Sequence, residues 1–148
     1  MNKNLVRPIS SCTVDNLIAK LSPAAEAFGI TIRKEGSAET TYKRGTILAM
    51  SSRDGKCVIL GTTAQAAVTG DSPVAAEVLT PYCVLADDVT VGKTADAVAV
   101  AYRCGNFNRS AVIVKSGHTL SADDEDALRH YNICLLYTSP SPRDRSLS

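Results

Sequence analysis

The sequence contains no Trp, and its aromatic side chains are five Tyr and two Phe. Surfaces that stack on nucleobases are built from exposed rings, so this composition argues against a base-stacking protein. Neither sign of charge is in excess, because 16 Lys and Arg are balanced by 15 Asp and Glu and the formal net charge is +1. A nucleic-acid groove or a surface for anionic membranes requires a basic excess. We therefore expect no direct nucleic-acid partner and no membrane partner.

Long apolar runs and an export signal are missing as well. No segment approaches the roughly 18 to 20 apolar residues of a membrane helix. The first residues, MNKNLVRPISSC, lack the apolar core of a secretory signal. The sequence predicts a soluble protein that stays in the cytoplasm, and 148 residues at 45% hydrophobic content suit one domain.

The segment 134–148, CLLYTSPSPRDRSLS, differs abruptly from the rest of the chain in its Ser, Pro and Arg content. Residues 134–144 resemble the in-frame translation of a sequencing-library adapter. We expect the native protein to end near Ile133, truncated, and residues 134–148 to be a non-native, artefactual tail. A natural disordered Ser/Pro tail is the alternative.

Four cysteines precede this tail, at Cys12, Cys57, Cys83 and Cys104. They form no Cys-x-x-Cys pair and have no His at ligand spacing, so neither a zinc site nor any other metal or cofactor is predicted. Two disulfides are arithmetically possible. A reducing compartment and the apolar runs around Cys83 and Cys104 favour buried free thiols instead.

Alternation of apolar and polar residues predicts a mainly β domain. The clearest case is residues 97–102, where Val98, Val100 and Tyr102 share one face and three Ala share the other. The pair Asp54-Gly55 between two apolar runs predicts a tight hairpin. The other predicted strands are 30–32, 45–50, 57–60, 82–86 and 111–114, and residues 106–108 are predicted to form a turn.

One helix is predicted to close the domain, and an earlier segment has weaker helical features. Within residues 15–28, Leu17, Ile18 and Leu21 have helical spacing, which Ser22-Pro23 interrupts. Near the C-terminus, Ser121 and Asp124 resemble a capping box, and further acidic residues crowd the first turn of a helix that extends to about residue 132.

No motif predicts catalysis. Gly92-Lys93-Thr94 resembles the end of a phosphate-binding loop, but Asp87 occupies the position of the required first Gly. The acidic clusters 87–88 and 123–126 are explained by a strand exit and a helix start. Asn108-Arg109-Ser110 matches a glycosylation site that a cytoplasmic chain would not use. Each histidine has a structural explanation: His118 is predicted to lie in a turn, and His130 near the C-terminal end of the last helix.

Several segments, taken in order, resemble the lambda-type bacteriophage head decoration protein family over about residues 15–133. They are DNLIA at 15–19, KRGTIL at 43–48, PYCVLADDV at 81–89, GNFN at 105–108 and ALR at 127–129. The resemblance implies a small domain of the β-clip type with one C-terminal helix and an extended N-terminal arm. It also implies a homotrimer that binds the outside of the expanded phage head at local three-fold positions and stabilises it against packaged-DNA pressure.

The function implied by this resemblance is that of a structural protein of the virion, not an enzyme, whose partners are further copies of itself and the major capsid protein. Assembly would take place in the cytoplasm of the bacterial host. Residues 1–14 are the candidate capsid-binding arm, with Leu5, Val6, Pro8 and Ile9 as anchors, and an extended arm suits strand addition to a capsid sheet.

One departure from the family is the loss of its closing apolar strand where the tail begins, and residues 134–136 could take its place. Two other functions remain open: a small β-rich hydrolase that uses Cys104, His118 and an acidic residue, and a trimeric binding module with a non-viral partner.

Overall fold

The computed structural model describes residues 16–22 and 24–137. Their secondary structure is mainly β, as predicted. The elements in chain order are β1 (Ile18–Lys20), β2 (Glu26–Ile32), β3 (Thr40–Tyr42), β4 (Ile47–Ser51), β5 (Cys57–Ile59), β6 (Leu79–Leu85), β7 (Val89–Val91), β8 (Ala97–Asn108), α1 (Ala122–Arg129) and β9 (Ile133–Leu136). No helix within these ranges is long and apolar enough to cross a membrane.

Five strands close into a small barrel in the order β8, β2, β5, β4, β6, with β6 pairing back onto β8. The pairs are antiparallel except for the short parallel contact between β2 and β5. Side chains that alternate inward fill the interior. The buried members include Ile30, Ile32, Leu48, Leu85, Ala99 and Ala101. The two-stranded ribbon of β3 and β7 adds Tyr42 and Val91 to the same core.

A second core lies against the outer face of β4, β5 and β6. Helix α1, strand β1 with the preceding Leu17, the second half of β8 and strand β9 cover this face. Their buried side chains include Leu17, Phe107, Leu128 and Ile133. β1 and β9 pair with opposite edges of β8, antiparallel and parallel respectively. One long strand therefore belongs to both cores.

Gly105 allows β8 to pass from the barrel into the second layer. Its φ is +138°, a conformation that costs little only for glycine. A Cβ there would lie 3.0 Å from the Cβ of Ala25 and 3.2 Å from the ring of Phe107. The strand thus continues through Phe107, which is fully buried, where the sequence predicted a turn at 106–108. The predicted turn was wrong because Phe107, which lies between Asn106 and Asn108, is a core side chain and keeps this segment in the strand.

The helix expected within residues 15–28 was also wrong, since the described residues of this range, 16–22 and 24–28, contain β1 and the start of β2 and no helix. Leu17 is buried but Leu21 is 84% exposed, so the two do not share a buried helical face. Pairing of Ile18 with Phe107 and of residues 26–32 with β8 outweighs the local helical spacing.

Residues 111–114 do not form the predicted strand. Ile113 makes a single parallel bridge to Thr46, with hydrogen bonds from Ile47 N to its carbonyl (2.8 Å) and from its own N–H to the Gly45 carbonyl (2.9 Å). The segment packs on the barrel as an irregular strap, because one bridge does not make a ladder.

Three other predictions are confirmed. The hairpin around Asp54-Gly55 joins β4 to β5, and Gly55 adopts a positive φ of 70°. Ser121 and Asp124 form a reciprocal capping box at the start of α1, which ends at Arg129. Near the predicted junction with the tail, β9 includes residues 134–136, and Leu135 lies opposite Phe107 of β8.

Candidate functional surfaces

The arm residues singled out by the sequence, Leu5, Val6, Pro8 and Ile9, lie outside the described residues. The structure does describe the point where the chain enters the domain. Leu17 is 2% exposed and packs in the second core, and its carbonyl accepts a hydrogen bond from Asn108 N at 2.7 Å. Leu17 is therefore a buried root that anchors the chain in the second core at this point.

The connection between β5 and β6 projects from the barrel, and we call residues 62–78 the finger. All of its residues from 63 to 76 are exposed. Val68 and Val74 exchange two backbone hydrogen bonds of 2.8 and 2.9 Å, which pair the two sides of the finger. Val68, Val74 and Val78 are 51%, 43% and 59% exposed.

A buried carboxylate holds the base of the finger. The Glu77 side chain is fully buried and accepts hydrogen bonds from Arg33 (2.5 Å), Ser51 (2.5 Å) and the Gln65 backbone (3.0 Å). Burial by itself raises the pKa of Glu77, but these three donors outweigh it and hold the pKa at about 2. Arg33 also pairs with Asp54 at 3.3 Å.

Arg53 provides a second attachment between the β4–β5 hairpin and the finger. Its guanidinium donates to the carbonyls of Ala66 and Ala75 and to the side-chain oxygen of Gln65, at 2.6 to 3.2 Å. These acceptors lie on both sides of the finger. Sequence reasoning missed this network because its members are far apart along the chain. The available signal was a single Glu within an apolar stretch, AAEVL at 75–79.

The sequence suggested a Cys–His site from Cys104, His118 and an acid, and the structure groups these residues differently. Cys104 lines a pocket of about 580 Å³ whose other lining side chains include Glu26, Arg103 and His130, but not His118. The Cys104 thiol donates to the Ala24 carbonyl at 3.8 Å. Among the described residues, Cys104 and His130 share no hydrogen bond, the contact by which a base would activate a thiol.

His118 instead supports the start of α1. Its Nε2 lies 2.8 Å from the Asp124 carboxylate that also closes the capping box. The backbone N–H of His118 donates to the Lys115 carbonyl at 2.9 Å. Both contacts are local and structural.

Other polar motifs of the sequence also have structural partners. Asp88 accepts from the backbone N–H of Arg44 at 2.7 Å, so it holds the β3–β4 connection near the exit of β6. Asn108 of the glycosylation pattern is 6% exposed and accepts from the Ser110 hydroxyl at 3.1 Å. Within the described ranges, no group of three or more His, Cys, Asp and Glu residues is arranged to hold a metal ion.

The thiols differ in burial. Cys57 and Cys83 are buried in the barrel core and are free, as predicted for Cys83. The hydrogen bond with Cys57, together with burial, raises the pKa of the Cys83 thiol and keeps it protonated. Cys104 is free but only half-buried, so its prediction as a core thiol was wrong. It lies beside the glycine that turns β8 outward.

Comparison with protein-family models identifies the family of this chain. The family model described as bacteriophage lambda head decoration protein D matches residues 14–133 of the 148. A search of curated proteins found no match. The matched range runs from just before Leu17 to the first residue of β9, and it therefore contains the barrel and most of the second layer. It confirms the resemblance inferred from the five short segments. The chain belongs to the bacteriophage lambda head decoration protein D family.

Proposed function

We propose that this protein is a trimeric cement on the outside of an expanded phage head, where it binds the major capsid protein at local three-fold positions and stabilises the shell against packaged-DNA pressure. The family match over residues 14–133 is the observation that carries the proposal. The family consists of structural phage proteins, and the described side chains that drew attention as catalytic candidates have structural partners. Assembly would precede virion release, in the host cytoplasm.

A trimer suits this task because its contacts with the shell act together. Once one subunit is bound, the second and third contacts form at high effective concentration, which raises avidity by about 10² to 10⁴ over a single contact. A weak contact per subunit is then sufficient for stable attachment.

The arm, residues 2–14, is proposed as the capsid-binding element, with Leu5, Val6, Pro8 and Ile9 inserted along a capsid sheet edge. Fully extended, thirteen residues span roughly 45 Å, enough to cross to a neighbouring subunit. The buried root at Leu17 supports this role, because a pull on the arm would be resisted by a core residue. Residues 134–148 are proposed to be non-native and to take no part in capsid binding.

The test adds purified protein to expanded heads that lack a decoration protein and maps added density by electron microscopy. We expect density at the three-fold positions. Deletion of residues 2–14 should weaken attachment at least about tenfold while the circular dichroism of the β domain is retained. Deletion of residues 138–148 is the control and should leave attachment unchanged. Absence of density with the full chain refutes the function, and full attachment without the arm refutes its role.

A further inference from the structure

Two apolar surfaces of this domain have no partner among the described residues. The first is the finger. In the sequence from Cys57 to Gly92 there is no Lys or Arg, and the exposed part of the finger carries one charge, Asp71 at its tip. Exposed loops normally carry solvating charge, whereas about half of the exposed residues of this one are Ala or Val and its other polar side chains, Thr, Gln and Ser, are uncharged.

The finger is also held more firmly than a solvated loop requires. A fully buried carboxylate and an arginine with four hydrogen bonds fix its base. Desolvating Glu77 is unfavourable unless all its partners are in place. A rigid base reduces the conformational entropy that a loop loses on binding, which is the usual benefit of a preorganised contact element.

The second surface lies on the outside of the barrel, where neither α1 nor the strands of the second layer cover it. We call it the bare face; it comprises Ala27, Gly29 and Thr31 of β2 with Val98 and Val100 of β8. Thr31 lies opposite Val98, and Gly29 opposite Val100, so the five residues share one side of the sheet. Val98 is 81% exposed and Val100 43%.

The five residues of the bare face are uncharged, and a Cβ added at Gly29 would touch nothing within 4 Å. Cations lie at one end of it. Lys34 and Lys93 are exposed, and neither forms an ion pair within the described part of the chain. Asp96, which interacts electrostatically with Lys34, is paired with Lys56. A 2.9 Å hydrogen bond from Glu35 N to the Gly92 carbonyl joins their two segments beside the start of β8.

We propose that the finger of one copy docks on the bare face of the next, with Asp71 directed at Lys34 and Lys93. The small side chains of both surfaces allow close approach, and the single unpaired acid on the finger complements the unpaired cations beside the face. A contact between two different surfaces of the same chain is head-to-tail, and it forms a closed ring when the rotation per copy allows. This inference rests on the trimer of the proposed function and assigns its interface.

The test uses Val98→Asp on the face and Val74→Asp on the finger, with Leu21→Asp as a matched control because Leu21 is 84% exposed and belongs to neither surface. Light scattering after gel filtration reports mass at one fixed concentration. Each test variant should weaken association at least about tenfold per contact, because an unpaired carboxylate would be buried. The wild type and the control should remain trimeric.

Mixing the two variants distinguishes this arrangement from others. A Val98→Asp chain keeps an intact finger and a Val74→Asp chain keeps an intact face, so one good contact remains between them. An equimolar mixture should therefore give a two-chain species that neither variant forms alone. A mixture that stays monomeric, a test variant that stays trimeric, or a monomeric wild type would each overturn the proposal.

Charge reversal tests the orientation. Asp71→Lys and Lys93→Asp should each weaken association a few-fold, and the double variant should recover the wild-type mass. No recovery overturns the pairing of these two residues. Binding to phage heads is measured separately on the same samples: if head binding occurs while the Val98→Asp and Val74→Asp variants stay trimeric, the interface is wrong and the capsid function stands. If the trimer depends on the finger but does not bind heads, the interface is supported and the capsid function is refuted.

Discussion

Replacing Glu77 by glutamine removes the charge of the buried carboxylate while keeping the shape of the side chain. In the wild type this carboxylate is fully buried and accepts three hydrogen bonds. Removing one member of a buried ion pair lowers the free energy of unfolding by about 3 to 5 kcal/mol. Arg33 keeps Asp54 and some solvent contact, so we expect the free energy of unfolding at pH 7 to fall by about 2 to 3 kcal/mol.

The pH dependence gives this prediction a specific signature. The pKa of Glu77 is about 2 in the folded protein and near its ordinary value of 4.5 in the unfolded chain. Its contribution to stability is therefore complete above about pH 4.5 and is lost as the pH falls towards 2. The difference between wild type and Glu77→Gln should shrink by roughly half or more between pH 7 and pH 3.

Urea denaturation followed by circular dichroism at both pH values measures this difference. Asp126→Asn is the matched control, because Asp126 pairs with Arg129 at the surface with both side chains more than half exposed. Such a pair contributes about 0 to 1 kcal/mol. A loss below about 0.5 kcal/mol for Glu77→Gln, or a loss that is the same at both pH values, would contradict the role assigned to the buried carboxylate.

Three further changes test the packing around β8 and α1. Gly105→Ala should lower the free energy of unfolding by about 2 to 4 kcal/mol in urea titrations, because Gly105 has a positive φ and a Cβ there would contact the Cβ of Ala25. Gly92→Ala is the control: its Cβ would meet no atom within 4 Å, so the free energy of unfolding should change little. Ser121→Ala should cost about 1 kcal/mol by thermal unfolding through loss of the capping box; an unchanged melting temperature contradicts this. A chain that stops after Leu136 should be as stable as the full chain, whereas one that stops after Ile133 should lose about 2 to 4 kcal/mol with the β9 pairing.

The mainly β class, the hairpin at Asp54-Gly55 and the capping box at Ser121 could be predicted because each depends on neighbours in sequence. The alternation over residues 97–102 also predicted a strand correctly, but it did not show which face is buried. The structure buries Ala99 and Ala101 and exposes Val98 and Val100. A five-stranded barrel has a narrow interior, so small residues on one strand make room for Ile30, Ile32 and Leu48 from the others.

Long-range partners explain what could not be predicted. The side chains that donate hydrogen bonds to the Glu77 carboxylate belong to Arg33 and Ser51, which are 44 and 26 residues away in the sequence. Likewise, the turn expected at 106–108 is replaced by strand because Phe107 reaches a core built by Leu17 and Leu128. No local pattern contains this information. The candidate arm, in contrast, was identified from residues 1–14 alone and stays a prediction.

A single strand that crosses both cores has a mechanical consequence. β8 is twelve residues long and pairs with β2 and β6 in the barrel and with β1 and β9 beyond it. Tension that enters at Leu17 passes through β1 directly into this strand and from there into the barrel. Neither half can yield alone without breaking the shared strand, so we expect the domain to carry load as one body and to rupture in a single step.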